Sequence, residues 1–191
     1  MAHDSQATKR RLLDAAFDEF VAVGLAGARV DRIARAAAAN KQAIYAYFGS
    51  KELLFDAVLT ERLQLFSEQV PLTPHDLPSY AGALFDMVSA HPDHLRLRAW
   101  KQLERPELSA EESAAYAAKI GALEEAYAFD ADRGGAQSLW MLMLSAVTSA
   151  TVLGLSEPRD TISLAPHRAA VVATVRALVD TLTRPTLGRG P

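Results

Sequence analysis

Apolar residues recur three and four positions apart along most of the chain, and no stretch alternates strictly between apolar and polar. That periodicity predicts helices and no sheet. Leu13, Ala16, Phe17 and Phe20 share one face of a first helix over 5–23, which Gly24 and Gly27 end. Two short helices are predicted at 30–37 and 41–47, the second preceded by Asn40, a good N-cap. Gly49-Ser50 breaks the chain again. Ser50 can cap a long helix over 51–70, with Leu54, Phe55, Val58, Leu59 and Phe66 as its apolar positions. Pro71, Pro74 and Pro78 mark a connection. Further helices are predicted at 78–90, 93–104, 110–128, 135–154 and 166–184, with capping-box spacing between Ser109 and Glu112 at the start of the third of these. The stretch 155–165, with Pro158, reads as a loop, and the terminal RPTLGRGP as a frayed end. The expected fold is all-α: an N-terminal three-helix module over residues 1–50, and a larger helical body over 51–191.

Composition narrows the function classes. The 191 residues suit one domain, or one domain with a small extra module, and half of them are hydrophobic. Cysteine is absent, which removes disulfides, thiolate metal sites and thiol redox sensing, and fits a cytoplasmic protein. Arginine outnumbers lysine 15 to 5 and alanine runs are frequent, as in a GC-rich bacterial coding sequence. The net charge of −3 is unevenly spread: residues 1–51 carry eight bases and five acids, whereas the remainder carries 12 bases and 18 acids. A basic N-terminal segment on an acidic body suggests an anionic partner for that segment. The N-terminus is polar and charged through Arg11, unlike a signal peptide. Residues 134–156 hold no charge over 23 positions, long enough to span a bilayer, but they carry Gln137, four serines and two threonines. A helix buried on most sides within a bundle accounts for them better, and no membrane partner is expected.

The most informative stretch is AAAANKQAIYAYFGSKELLF, residues 36–55. Val30, Ile33, Ala34 and Ala37 have core spacing on one short helix, and Ile44 and Phe48 on the next. Small alanines let two such helices cross closely. This is the layout of a helix-turn-helix, whose second helix enters the DNA major groove with its N-terminal residues facing base edges. Lys41 and Gln42 then sit where they can donate to guanine or pair with adenine, and Ala43 and the Tyr45 ring can pack on a thymine methyl or a sugar. Tyr47 can donate to a phosphate. Lys51, at the start of the next helix, and Arg29, just before the first short helix, are placed for phosphate contacts.

The pattern V-D-R-I-A…N-K-Q-A-I-Y-A-Y-F-G-S-K-E-L-L, following a helix that ends in glycine, resembles the DNA-binding region of the TetR family of bacterial transcriptional regulators. The resemblance covers residues 8–56, and its most specific piece is Ile44-Tyr45, Tyr47-Phe48 and Lys51-Glu52-x-Leu54. It implies an all-helical protein with three N-terminal helices on a larger ligand-binding body, dimerised through its last two long helices. It also implies a repressor that leaves a palindromic operator when a small molecule enters the body and moves the fourth helix. The chain departs from the family pattern twice. Arg29 stands where the family has a capping Thr or Ser, and Ala38 where its turn often has Gly. A left-handed turn costs alanine about 1 kcal/mol, so the turn is expected to be reshaped or the preceding helix extended.

The body offers a dimer seam and a candidate pocket. Ser145 with Ser149, and Ala146 with Ala150, recur four apart on the 135–154 helix. Val171, Val175, Leu178 and Leu182 form one stripe on 166–184, widened by Val172 and Val179, which is more apolar surface than one neighbouring helix would cover. A homodimeric four-helix interface would bury it. Phe85, Met87, Trp100, Tyr116, Trp140 and Met143 are the large soft residues expected around an unidentified effector. His91 and His94 flank Pro92 and lack a spaced third ligand, so no metal is expected, nor any other cofactor. The sequence shows no Gly-rich phosphate loop, GxSxG elbow or HExxH. The competing class is a small all-helical enzyme or carrier that does not bind DNA.

Overall fold

The computed structural model describes residues 2–129, 134–152 and 163–183, and every regular element among them is helical. The α-helices are α1 (Ala2–Gly27), α2 (Val30–Ala36), α3 (Lys41–Phe48), α4 (Lys51–Gln69), α5 (Leu77–Ala90), α6 (Pro92–Glu104), α7 (Ala110–Ala126), α8 (Gly135–Val152) and α9 (Ala165–Thr183), with a 3-10 turn over Pro74–Asp76. Most of the loop expected at 155–165, and the frayed end after 183, lie outside the described residues. The predicted caps form. The Ser50 hydroxyl accepts from Leu53 N–H at 3.1 Å, and Ser109 and Glu112 close a reciprocal capping box.

The chain divides into two compact units, one built from residues 1–66 and 93–108, the other from 67–92 and 109 onward. The packing division therefore does not fall at residue 50. Most of α4, and α6 from the sequence of the body, group with the N-terminal helices.

In the first unit, Leu12, Ala16, Phe20, Ile33, Ile44, Leu54, Phe55 and Val58 are fully buried, and Leu97 of α6 joins them. The Phe20 and Phe55 rings meet edge-on at 4.9 Å. Burying each such ring is worth about 1.5–3 kcal/mol. α1 does not stop at Gly24, as its glycine suggests. The chain kinks there, with φ 70° and ψ −178°, and resumes its helical path to Gly27. α6 packs against the kink. A side chain at position 24 would lie 2.7 Å from the Trp100 ring, and the Trp100 indole N–H donates to the Val21 carbonyl at 3.2 Å. The Glu104 carboxylate accepts from the Leu25 and Ala26 N–H groups that the break exposes. At the end of α6, Arg105 donates to Asp56 of α4 at 2.9 Å. The His94 ring lies 5.1 Å from Phe17 and 4.4 Å from Phe66. Trp100, expected at the effector pocket, is thus a packing residue of the first unit.

In the second unit, α5 packs on both α8 and α9. Gly82 permits the approach to α9: an added Cβ would meet Arg168 Nη2 at 2.9 Å and Val172 at 3.1 Å. Arg168 in turn pairs with Asp86 of α5 at 2.8 Å. Tyr80 stacks on Trp140 at 6.2 Å, and burial pushes the Tyr80 phenol up to about 12. The stripe expected at a dimer seam is placed otherwise. Val171, Val175 and Leu182 are buried within the protomer and Leu178 is half-buried, because α5 and α8 supply the apolar cover. Ser149 also faces inward, its hydroxyl 3.0 Å from His167 Nε2 of α9. Ala146 and Ala150 are half-buried, and Ser145 is exposed. Exposed residues include Gln137, Met141, Leu142 and Ser145 on α8, and Ala169, Ala170, Ala173, Thr174, Arg176, Ala177, Asp180 and Thr181 on α9.

Candidate nucleic-acid interface

The α2–α3 turn is held by backbone geometry. Ala38 takes the left-handed conformation, φ 47°, that the sequence makes costly for alanine. The Ala39 N–H donates to the Ala34 carbonyl at 2.9 Å and the Ala38 N–H to the Arg35 carbonyl at 3.1 Å. This pair of bonds is a Schellman ending. The turn is therefore neither reshaped nor absorbed into a longer helix. The strain of one residue is offset by two satisfied carbonyls and the burial of Ala37. Asn40 then caps α3, its side chain accepting from the Gln42 N–H at 3.0 Å.

With Ile44 and Phe48 buried, the opposite side of α3 is fixed outward. Lys41, Gln42 and Tyr45 are exposed, the last at 46%, and Ala43 is half-buried beside them. Tyr47 is exposed, and its hydroxyl lies 3.0 Å from the Ser5 hydroxyl of α1, so the ring is held against the first helix. Lys51 is half-buried at the start of α4 and donates to the Ala28 carbonyl at 3.2 Å. That bond uses one of its three ammonium hydrogens. Arg29 is exposed, and its side chain does not cap α2. Glu19 of α1 ties the start of α2 down instead: it accepts the Arg29 N–H at 2.8 Å and pairs with the Arg32 guanidinium at 2.6 Å. Sequence reasoning did not single out Glu19, Ser5 or Asp31. Their partners lie 10 to 42 residues away, beyond any helical repeat.

Charge is also organised across the turn. Lys41 Nζ lies 3.0 Å from one oxygen of Asp31 and 3.2 Å from the other. The hydrogen bond to Asp31, and then its charge, hold the Lys41 ammonium above the usual lysine range. Lys9 lies 5.9 Å from the Phe48 ring centroid. A face carrying hydrogen-bond donors, an aromatic ring and nearby cations on a capped, packed helix can read base edges and hold phosphates.

Residues 12–58 match the model of bacterial regulatory proteins of the tetR family, and residues 76–180 match the tetracyclin repressor-like C-terminal domain. The chain is 44% identical over 128 residues to the HTH-type transcriptional repressor SCO4008 of Streptomyces coelicolor, spanning 65% of this chain and 67% of that one. It is 31% identical over 111 residues to the HTH-type transcriptional repressor NicS of Pseudomonas putida, covering 54% of this chain and 52% of the relative. Among solved structures, SCO4942 of Streptomyces coelicolor superposes with a TM-score of 0.76 at 34% identity, over 93% of this chain and 99% of the other.

Proposed function

The chain belongs to the TetR family of bacterial regulatory proteins and is a ligand-responsive, DNA-binding transcriptional regulator, and from that premise we propose that it is a homodimeric repressor. Lys41, Gln42, Ala43 and Tyr45 contact bases, while Arg29, Tyr47 and Lys51 contact phosphates. The observation that carries this is the capped α3, with Ile44 and Phe48 buried and Lys41, Gln42 and Tyr45 turned to solvent. Two copies would set two α3 helices roughly 34 Å apart, one turn of duplex, on a palindromic operator. The exposed faces of α8 and α9, from Met141 to Ser145 and from Ala169 to Ala177, are the surfaces through which the copies pair. The alanines there suit close helix approach, with Met141 and Leu142 as apolar cover and Arg176 the charged residue among them.

The effector is a largely apolar small molecule held in the second unit near Phe85, Met87, Tyr116, Trp140 and Met143. The rings and thioethers there support that chemistry. Its binding shifts α4 and lowers operator affinity by favouring one spacing of the reading helices. The protein works in the cytoplasm, without enzymatic activity. Among the described residues, no helix is long and apolar enough to cross a membrane.

The test is duplex binding as a function of salt, in wild type and Lys51→Ala. Affinity should fall across all sequences in the variant, with the log–log salt slope shallower by about 0.9. A folded wild-type protein whose duplex binding does not depend on salt contradicts the proposal.

A further inference from the structure

We propose that Asp31 is a positioning residue for base recognition: it holds the Lys41 ammonium across the α2–α3 turn and thereby makes the protein discriminate between sequences. The inference rests on the reading of α3 as the base-reading helix.

An acid beside a DNA-binding face opposes phosphate binding, so its presence calls for an account. Asp31 is not there to pack. Its side chain is 67% exposed, and it reaches out of α2 to the first residue of α3. A cation was available closer at hand. Arg35 lies one turn further along α2, at the spacing where helical ion pairs form, yet among the described residues it makes no ion pair. Arg32 is held by Glu19. Both oxygens of Asp31 instead meet Lys41, at 3.0 and 3.2 Å.

The chemistry of the ammonium then separates two modes of binding. A lysine on a flexible four-carbon stem donates in three directions and serves any phosphate within reach. With up to two of those directions taken by Asp31, the remaining one is aimed. In a matched complex Lys41 keeps its partner and adds one acceptor, such as guanine O6 or N7. In an unmatched complex it reaches a phosphate only by leaving Asp31 unpaired among phosphates. The pair thus penalises the unmatched mode and spares the matched one.

The experiment compares wild type, Asp31→Asn, Lys41→Met and the double variant on two duplexes: the one wild type enriches from a random pool, and a scrambled duplex of equal length. Asp31→Asn should tighten binding to the scrambled duplex more than to the enriched one, lowering the affinity ratio by about tenfold, equivalent to one factor of ten in an equilibrium constant. Its salt slope on the scrambled duplex should steepen by about 0.9, one added phosphate contact. In the Lys41→Met background, Asp31→Asn should move both affinities together. Asp31→Glu, which keeps the charge, should recover much of the ratio. Should Asp31→Asn fold poorly, Asp31→Ser, which also removes the carboxylate, carries the same test with the same expected outcome. Equal tightening on both duplexes with Lys41 present overturns the proposal, since Asp31 then acts by general repulsion alone. So does an unchanged ratio in Lys41→Met. A folded wild type that enriches no duplex at all removes the reading of α3 itself, an outcome distinct from either.

Discussion

The α2–α3 pair and the α8–α9 pair both set two helices side by side, but they divide their surfaces differently. α2 and α3 have seven and eight residues, and each buries one narrow face, Ile33 and Ala34 on one and Ile44 and Phe48 on the other. What remains is outward by default, so chemistry on the remaining positions is available to a partner. α8 and α9 have 18 and 19 residues and are apolar around much of their circumference. Their richest stripe is consumed inside the protomer, and the surface left over mixes small side chains with Met141, Leu142, Arg176 and Asp180. In a short helix the apolar positions mark the core and everything else is candidate function. In a bundle helix the most apolar stripe belongs to the core, and an association surface is what that core leaves uncovered.

Paired substitutions on α9 break or sharpen this contrast most strongly. Val175→Asp places a charge at a fully buried position and should cost about 3–5 kcal/mol, read by chemical denaturation. Ala173→Glu, two residues earlier but exposed, should keep the helical circular dichroism and halve the mass seen by light scattering. A dimer that survives Ala173→Glu would move the seam elsewhere.

The first unit has its own buried constraint at Gly24. Gly24→Ala combines a left-handed backbone with a contact to the Trp100 ring and should cost about 2–4 kcal/mol. Loss of less than half of that in the denaturation midpoint would show that α6 yields easily. Tyr80 sharpens the second unit. Its phenol titrates at about 12 when folded and near 10 when unfolded, so the unfolded chain loses the proton first. Stability should be unaffected below pH about 10 and fall by on the order of 2 kcal/mol as pH rises to about 12. Tyr80→Phe should remove that part of the pH dependence, measured by denaturant titration across the range. The smallest effect belongs to the reading turn: Ala38→Gly relieves φ 47° and should stabilise by about 1 kcal/mol, with DNA affinity unchanged.

The all-α fold and the α2–α3 layout were readable because helical period, caps and breakers are local: Asn40, Ser50, Ser109 and Glu112 all act within three residues of themselves. The continuation of α1 past Gly24 is not, because the ring and carboxylate packed at that break lie 76 and 80 residues on. Nor was the membership of α6, whose Trp100, Glu104 and Arg105 find their partners on α1 and α4. Size and softness suit Trp100 to a core as well as to a pocket, so its sequence context does not separate the two. The valine stripe on α9 suggests a partner in the sequence because its cover, from α5 and α8, is set by tertiary packing. At the reading face, the exposure of Lys41, Gln42 and Tyr45 followed from Ile44 and Phe48, whereas the grip of Asp31 on Lys41 depends on the angle of the turn.

The central claim is that α3 reads base edges, and it is tested most directly by selecting bound duplexes from a random pool with wild type and with Gln42→Ala. The account predicts an inverted repeat for wild type, and for Gln42→Ala the same repeat with sequence preference lost at one position in each half-site. Identical repeats from both proteins, or no enrichment from a folded dimer at low salt, would contradict it.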